Sequence, residues 1–402
     1  MPATKTDRLT RQLMWNLQQA KGQNAMTDEA QTLTEFIRTA IRERGPVTFR
    51  WFMEQALYHP AHGFYSSGRC RIGRRGEYFT NVSVGSLFGR LMARQFGEIW
   101  ERLGRPDDFT IVEQGAHDGT FASDVLAAAR AAMPECFAAL RYRIVEPFPV
   151  LRDRQNAMLE SFRSKIDWVE SIGQLKPFTG VHFSNELIDA MPVHLICASN
   201  KEWREKYVTS RGDDLDFTEG PISSVSLQEH LEKFPVPADN YETEINLVAL
   251  EWIEQVSAKI ERGVVLTIDY GWAQEDFYAP SRTSGTLRSV AKHRLVASPL
   301  IDAGNIDITS HVDWTSLCEK AERCGLTIAG FADQHHFITA LAATFLPNEL
   351  SAEDRPALQT LLHPGLLGRT YQFLALAKDF PPALELAGFK FARDPRVALG
   401  LK

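Results

Sequence analysis

Thr110-Ile-Val-Glu-Gln-Gly-Ala-His-Asp-Gly-Thr-Phe121 is the stretch on which the fold turns. A β-branched run reaches an acid, Glu113, and glycines follow at 115 and 119. Residues 121–130 then carry helical spacing. Strand, glycine turn and helix in that order bring bare backbone close to a bound nucleotide. A second strand, Tyr142-Arg-Ile-Val145, ends on Glu146, placed as acids that hold ribose hydroxyls are placed. No G-x-G-x-x-G is present, so a dinucleotide does not fit. S-adenosylmethionine fits better, because it has no phosphate and carries an ammonium group that acids can meet. The candidate contacts to it are Glu113, Gly115, His117, Asp118, Gly119 and Glu146.

Further along, Phe183-Ser-Asn-Glu-Leu-Ile-Asp-Ala-Met-Pro-Val193 takes an apolar strand straight into Asn185 and Glu186. Polar groups at the carboxyl end of a parallel strand sit at the ligand crevice. Asn185, Glu186 and Asp189 are therefore expected to face the methyl donor or the acceptor, although Asp189 also reads as a helix cap. The run Gly263-Val-Val-Leu-Thr-Ile268 ends in the same way on Asp269-Tyr-Gly271. His293 and His311 lie in polar text and are candidates to orient a substrate or move a proton. His59-Pro-Ala-His62 has a metal-like spacing but no neighbouring cysteine or acid, so zinc is set aside.

The expected fold is α/β: a Rossmann-like class I methyltransferase with a mostly parallel seven-stranded sheet, a helical N-terminal region and inserted elements. Strands are expected near 109–113, 142–146, 166–169, 181–185 and 263–269, with later ones at 326–331 and 370–376. Helices are expected near 34–44, 48–58, 86–103, 120–133, 148–162, 242–260, 315–323 and within 335–362. The domain reading is a tail or helix over 1–30 and a helical region over 31–105. A methyltransferase core follows over 106–197 and 241–378, with an insertion at 198–240 that contains a hairpin. A C-terminal tail closes the chain over 379–402. The loop 63–80, with four glycines and four arginines, is read as a lid, and its Glu77 and Thr80 join Asn185 as further candidate cofactor contacts.

Composition narrows the classes. The chain has 402 residues and a formal charge of −7, with no basic stripe of the kind a nucleic-acid binder shows. No apolar run approaches membrane-spanning length. Five dispersed cysteines without C-x-x-C suit reduced thiols in a cytosol-like compartment.

Taken together, these motifs resemble the MidA-like family of class I S-adenosylmethionine-dependent methyltransferases over roughly residues 31–378. They run in family order: Gly45-Pro46, Gly63-Phe-Tyr65, Gly76-Glu-Tyr-Phe-Thr80 with Phe88-Gly89, Glu113-x-Gly115, Ile144-Val-Glu146, Asn185-Glu186 with Asp189-Ala190 and Pro192. Asp269-Tyr-Gly271, Gly285-Thr-Leu287 with His293, Asp307-Ile-Thr-x-His-Val-Asp313 and His363-Pro364 with Gly368 complete the set. Three departures stand out. Gly76-Glu77-Tyr78-Phe79 replaces Gly-Asp-Phe, His117 replaces a glycine and either crowds or lines the cofactor pocket, and Glu146-Pro147 replaces an acid followed by Val-Ser.

The resemblance implies a methyltransferase acting on protein arginine, with relatives that work in assembly of respiratory complex I. The implied partner is a protein, such as a respiratory-complex subunit, or a small molecule, with a homodimer as one oligomeric form. The implied location is the cytoplasm, or the mitochondrial matrix in a eukaryote. A guanidinium remains protonated at neutral pH and needs carboxylates to orient it and take its proton. Glu186, Asp189, Asp269 and Glu77 are the acids nominated for that. Two alternatives fit the same residues. One is a small-molecule or O-directed methyltransferase with His293 or His311 as general base. The other is a non-catalytic assembly factor that binds S-adenosylmethionine.

Overall fold

The computed structural model describes residues 32–69, 81–291, 294–346, 350–381 and 386–401. Expectations for the segment 1–30, the loop 70–80 with Glu77 and Thr80, and His293 lie outside these residues.

The central sheet is built from β1 (Phe109–Gln114), β2 (Leu140–Val145), β3 (Ile166–Val169), β4 (Phe178–Asn185), β5 (Ile260–Trp272), β6 (Thr327–Asp333) and β7 (Tyr371–Lys378). Their spatial order is β3-β2-β1-β4-β5-β7-β6, with Val312–Asp313 pairing onto the end of β5. The pairs from β3 through β5 are parallel, and β7 runs antiparallel to both β5 and β6. The order reverses between β1 and β4, so the crevice at their carboxyl ends is the topological switch point. Across the middle of the sheet Thr110, Gly180 and Gly263 stand in one row. A Cβ on Gly180 would lie 1.9 Å from the Thr110 carbonyl oxygen, and one on Gly263 would lie 1.8 Å from that of Gly180. Only glycine permits this close pass.

Residues alternate between the two faces of the sheet. Ile111, Ile144, Phe183 and Leu266 join a core with Phe96 and Phe121, whereas Val112, Val145 and Val265 join a second core with Ile253 and Leu317. Local chemistry starts the helices on both faces. Asn246 accepts the Ala249 N–H at 2.9 Å, and Asp313 accepts that of Ser316 at 3.1 Å.

A second sheet, all antiparallel, joins Val47–Thr48, Glu202–Arg211, His194–Ser199 and Glu242–Ile245, with Asp214–Gly220 closing a hairpin on Glu202–Arg211. It draws residues from both sides of the 198–240 stretch and ties them to the N-terminal region. The helix expected over 242–260 therefore starts later, at Leu247, because Glu242–Ile245 pairs with 194–197. The helix expected over 120–133 ends at Ala132, and Pro134 opens a separate short helix. The helix expected over 148–162 ends at Met158 and passes into a 3-10 segment, Glu160–Lys165. In the stretch read as a C-terminal tail, Leu386, Phe389 and Leu399 are buried against the core. No helix among the described residues is long and apolar enough to cross a membrane.

Candidate active site

The turn after β1 carries the first half of the site. Gly115 is exposed with φ +82°, and a Cβ there would meet nothing nearer than Leu187 Cδ1 at 3.4 Å. Bare backbone thus faces open space where a ligand can approach. Gly119, at φ +85°, caps the helix Thr120–Ala132, and Asp118 Oδ1 accepts the Thr120 N–H at 3.0 Å. Glu113 is buried and accepts the Tyr142 hydroxyl at 2.8 Å, and burial pushes its carboxyl up to about 8.

Glu146 sits beyond β2, also buried, and burial raises its carboxyl to about 7. Its Oε1 accepts the Phe148 N–H at 3.0 Å and its Oε2 accepts Gln155 Nε2 at 3.1 Å. Each oxygen keeps a lone pair for a further donor. The same Gln155 nitrogen donates to the His117 carbonyl at 3.0 Å, and Trp168 Nε1 donates to Gln155 Oε1 at 2.9 Å. Gln155, fully buried, thereby joins the glycine turn to Glu146. Sequence reasoning did not find it, because a glutamine on the helix Pro149–Met158 carries no local signal. His117 stands at φ +46°, its Nδ1 3.8 Å from Asp118 Oδ1 and its Nε2 buried without a hydrogen-bond partner.

The second half lies at the ends of β4 and β5. Glu186 takes φ +53° as the chain leaves β4. Its Oε1 accepts Asn185 Nδ2 at 3.1 Å, and its Oε2 accepts the Tyr270 hydroxyl at 3.2 Å, which lies 2.5 Å from the Tyr371 hydroxyl. Burial pushes Glu186 up to about 8; the donors Tyr371, Asn185 and Tyr270 oppose that, and Asp269 adds to it. Asp189 is also held well above the ordinary carboxylate range, by burial and by Asp269, Glu186 and Asp307. Asp269 has a different occupation. Its Oδ2 accepts the N–H groups of Ile188 and Asp189 at 2.8 and 3.2 Å, and its Oδ1 accepts that of Tyr270 at 2.9 Å. It pins the turn that carries Glu186 and Asp189.

The N-terminal region reaches this turn: Tyr58 donates to the Ala190 carbonyl at 2.9 Å and Tyr65 to Asp307 at 2.7 Å. His311 stacks with Tyr270 and Trp272, and Trp272 donates its indole N–H to His311 Nδ1 at 2.7 Å. Burial lowers His311 to about 4.

The structure thus brings Glu113, Gly115, His117, Asp118, Gly119 and Glu146 to one end of the crevice, and Asn185, Glu186, Asp189, Asp269 and His311 to the other. The first set suits S-adenosylmethionine: an open glycine turn, a carboxylate with free lone pairs for ribose hydroxyls, an unpartnered buried imidazole nitrogen, and no phosphate-binding cation among them. Residues 91–332, more than half of the chain, match the model of the family described as S-adenosyl-L-methionine-dependent methyltransferase. The protein arginine methyltransferase NDUFAF7 homolog, mitochondrial, of Drosophila melanogaster is 24% identical over 88% of this chain and 86% of its own. Its Homo sapiens counterpart is 24% identical over 89% and 85%. A crystal structure from Burkholderia thailandensis, of a candidate methyl transferase bound to S-adenosyl-homocysteine, superposes with TM-score 0.82 and 26% identity. It covers 91% of this chain and 96% of that one. The MidA-like resemblance, the class I fold and the cofactor are borne out, and this chain belongs to the family of S-adenosyl-L-methionine-dependent methyltransferases.

Proposed function

We propose that the chain methylates arginine side chains of a protein, and that Glu186 anchors the acceptor. The observation that carries this reading is the cluster Glu186, Asp189 and Asp269 at the ends of β4 and β5. Burial raises all three carboxyls, repulsion from the neighbouring acids raises Glu186 and Asp189 further, and no basic side chain among the described residues pairs with them. Such a cluster gains most from a cationic guest that lets it ionise. A guanidinium meets a carboxylate through parallel charge-assisted hydrogen bonds.

Bound S-adenosylmethionine supplies an electrophilic methyl on a sulfonium, and Glu113, Gly115, His117, Asp118, Gly119 and Glu146 are the residues that would hold it. Glu186 orients the guanidinium and receives the proton that the attacking nitrogen loses. The bound guanidinium lets the Glu186 carboxyl ionise, and a carboxylate whose proton affinity burial has raised is suited to accept that proton. Asp269 keeps the turn in place through backbone N–H groups, which fixes where Glu186 and Asp189 stand. Tyr270 packs against the buried Tyr371, and its hydroxyl donates to Glu186 at 3.2 Å, which steadies the acid that meets the cation.

The names of the relatives agree with this reading. The O-directed alternative is weaker, because Nδ1 of His311 already accepts the Trp272 N–H, leaving the proton on Nε2. The testing experiment is incubation with methyl-labelled S-adenosylmethionine and host lysate, followed by mass spectrometry. Label on ω-nitrogens of protein arginine supports the proposal. Label on hydroxyl groups or on small molecules alone overturns it.

A further inference from the structure

Asn81 opens the short turn Asn81–Val84 and is fully buried, yet nothing in the cofactor or acceptor scheme uses it. A buried amide is costly unless its polar atoms are bonded. Its Oδ1 has no partner, and its Nδ2 donates to Asn185 Oδ1 at 3.3 Å. The hydrogen bond it does make therefore points into the site. With Oδ1 of Asn185 engaged, the other end of that amide must face Glu186, and its Nδ2 lies 3.1 Å from Oε1. The two ends of an asparagine amide are nearly the same size. Released from Asn81, the Asn185 amide can reverse and set an acceptor oxygen against the Glu186 carboxylate.

The rest of the Glu186 environment makes that direction matter. Its backbone is in the left-handed region, so no regular strand geometry fixes the side chain. Asp269 from β5 and Asp189 from its own turn oppose its ionisation. The phenols of Tyr270 from β5 and Tyr371 from β7, together with the Asn185 amide, are the groups that favour it. One reversed amide removes one of three donors and adds a repulsion.

We infer that Asn81 is a positioning residue of the acceptor site: by donating to Asn185 it fixes the direction of the amide that donates to Glu186 and orients that carboxyl for a guanidinium. The inference rests on Glu186 as the acceptor's anchor. Asn81 reaches that residue at one remove, through the Asn185 amide.

The test is a pH titration of glutamate-carboxyl 13C NMR signals in the full chain, with Glu186 identified as the signal lost in Glu186→Gln. N-acetyl-arginine amide in the presence of S-adenosyl-homocysteine is the guanidinium probe. The wild-type signal is expected to titrate at about 8 and to move down when the probe is added. In Asn81→Leu its midpoint should rise by about half a pH unit or more, and the probe should bind about tenfold more weakly, the scale of one hydrogen bond to a charged group. Affinity for S-adenosyl-homocysteine should stay at the wild-type level, which a general loss of structure would not allow. If Asn81→Leu does not fold, Asn81→Ser is expected to show the same upward shift. A wild-type midpoint in the folded variant, or equal weakening of both ligands without a shift, overturns the inference. A wild-type Glu186 signal indifferent to the probe contradicts the arginine reading instead, and the midpoint comparison still decides the role of Asn81.

Discussion

Gln155 donates to Glu146 at 3.1 Å with the same nitrogen that donates to the His117 carbonyl at 3.0 Å, so the acid beyond β2 and the turn beyond β1 are held by one side chain. Gln155→Leu keeps the volume and removes both bonds, and it leaves the Trp168 indole without its acceptor. The expected cost is about 1–3 kcal/mol of stability, the scale of buried polar groups left unpaired. S-adenosyl-homocysteine should bind about tenfold more weakly because Glu146 is no longer fixed. Calorimetry and denaturant unfolding of the variant measure the two effects. Unchanged affinity in a folded Gln155→Leu protein removes Gln155 from the cofactor site.

Gly115→Val tests the open turn. At φ +82° a β-branched residue is strained whatever the space around it, by about 1–2 kcal/mol. Its side chain would also stand where the backbone is bare. The chain should still fold, and calorimetry should find S-adenosyl-homocysteine binding abolished. A folded Gly115→Val variant with wild-type affinity contradicts the placement of the cofactor on this turn.

Much of this site was legible before the structure because its signals are local. An acid, a glycine and a helix within a dozen residues mark the β1 turn, and a strand running into Asn185-Glu186 marks the cluster of polar groups at the end of β4. The second sheet was legible only as a hairpin, since pairing Val47–Thr48 with 207–208 depends on contacts that no local pattern encodes. Gln155 and Asn81 escaped for the same reason: each matters through the group it meets in space. The sequence nominates Asp269 as an acid at the crevice, with donor and acceptor both open to it. It lies at the crevice as expected, but its oxygens are taken up by backbone N–H groups, and strand-end position alone does not separate a ligand contact from that use.

The buried acids give the ligand-free protein a particular pH dependence. Glu113 at about 8, with Glu146 and Asp269 at about 7, binds protons in the folded chain that the unfolded chain has already released above the ordinary carboxylate range. Folding stability is therefore greatest below about pH 4.5 as far as these groups are concerned, and it is lost as pH rises through 7 to 8. Each contributes at most about 1.4 kcal/mol per pH unit within its window. Denaturant midpoints should fall from pH 5 to pH 8, and Glu113→Gln should flatten the slope. A slope equal to wild type in Glu113→Gln would show that Glu113 is already ionised in the folded protein.

His311 accepts the Trp272 indole N–H at Nδ1 and is held to about 4 by burial, so it stays neutral across the working range with its own proton on Nε2. His311→Ala should change the methylation rate by no more than about threefold, far below the hundredfold or greater loss that removal of a general base produces. Initial rates of labelled methyl transfer to lysate protein from pH 6 to 9 measure this. A loss of two orders of magnitude with a changed acidic limb would restore the histidine-base alternative.

The most direct measurement compares wild type with Glu186→Gln, which keeps the shape of the side chain and removes its charge. S-adenosyl-homocysteine affinity should be nearly unchanged if Glu186 serves the acceptor as proposed. Transfer of labelled methyl to protein arginine, read by mass spectrometry, should fall by on the order of a hundredfold or more. A Glu186→Gln protein that methylates arginine at the wild-type rate, or a wild type whose label appears only on hydroxyl groups, contradicts the account.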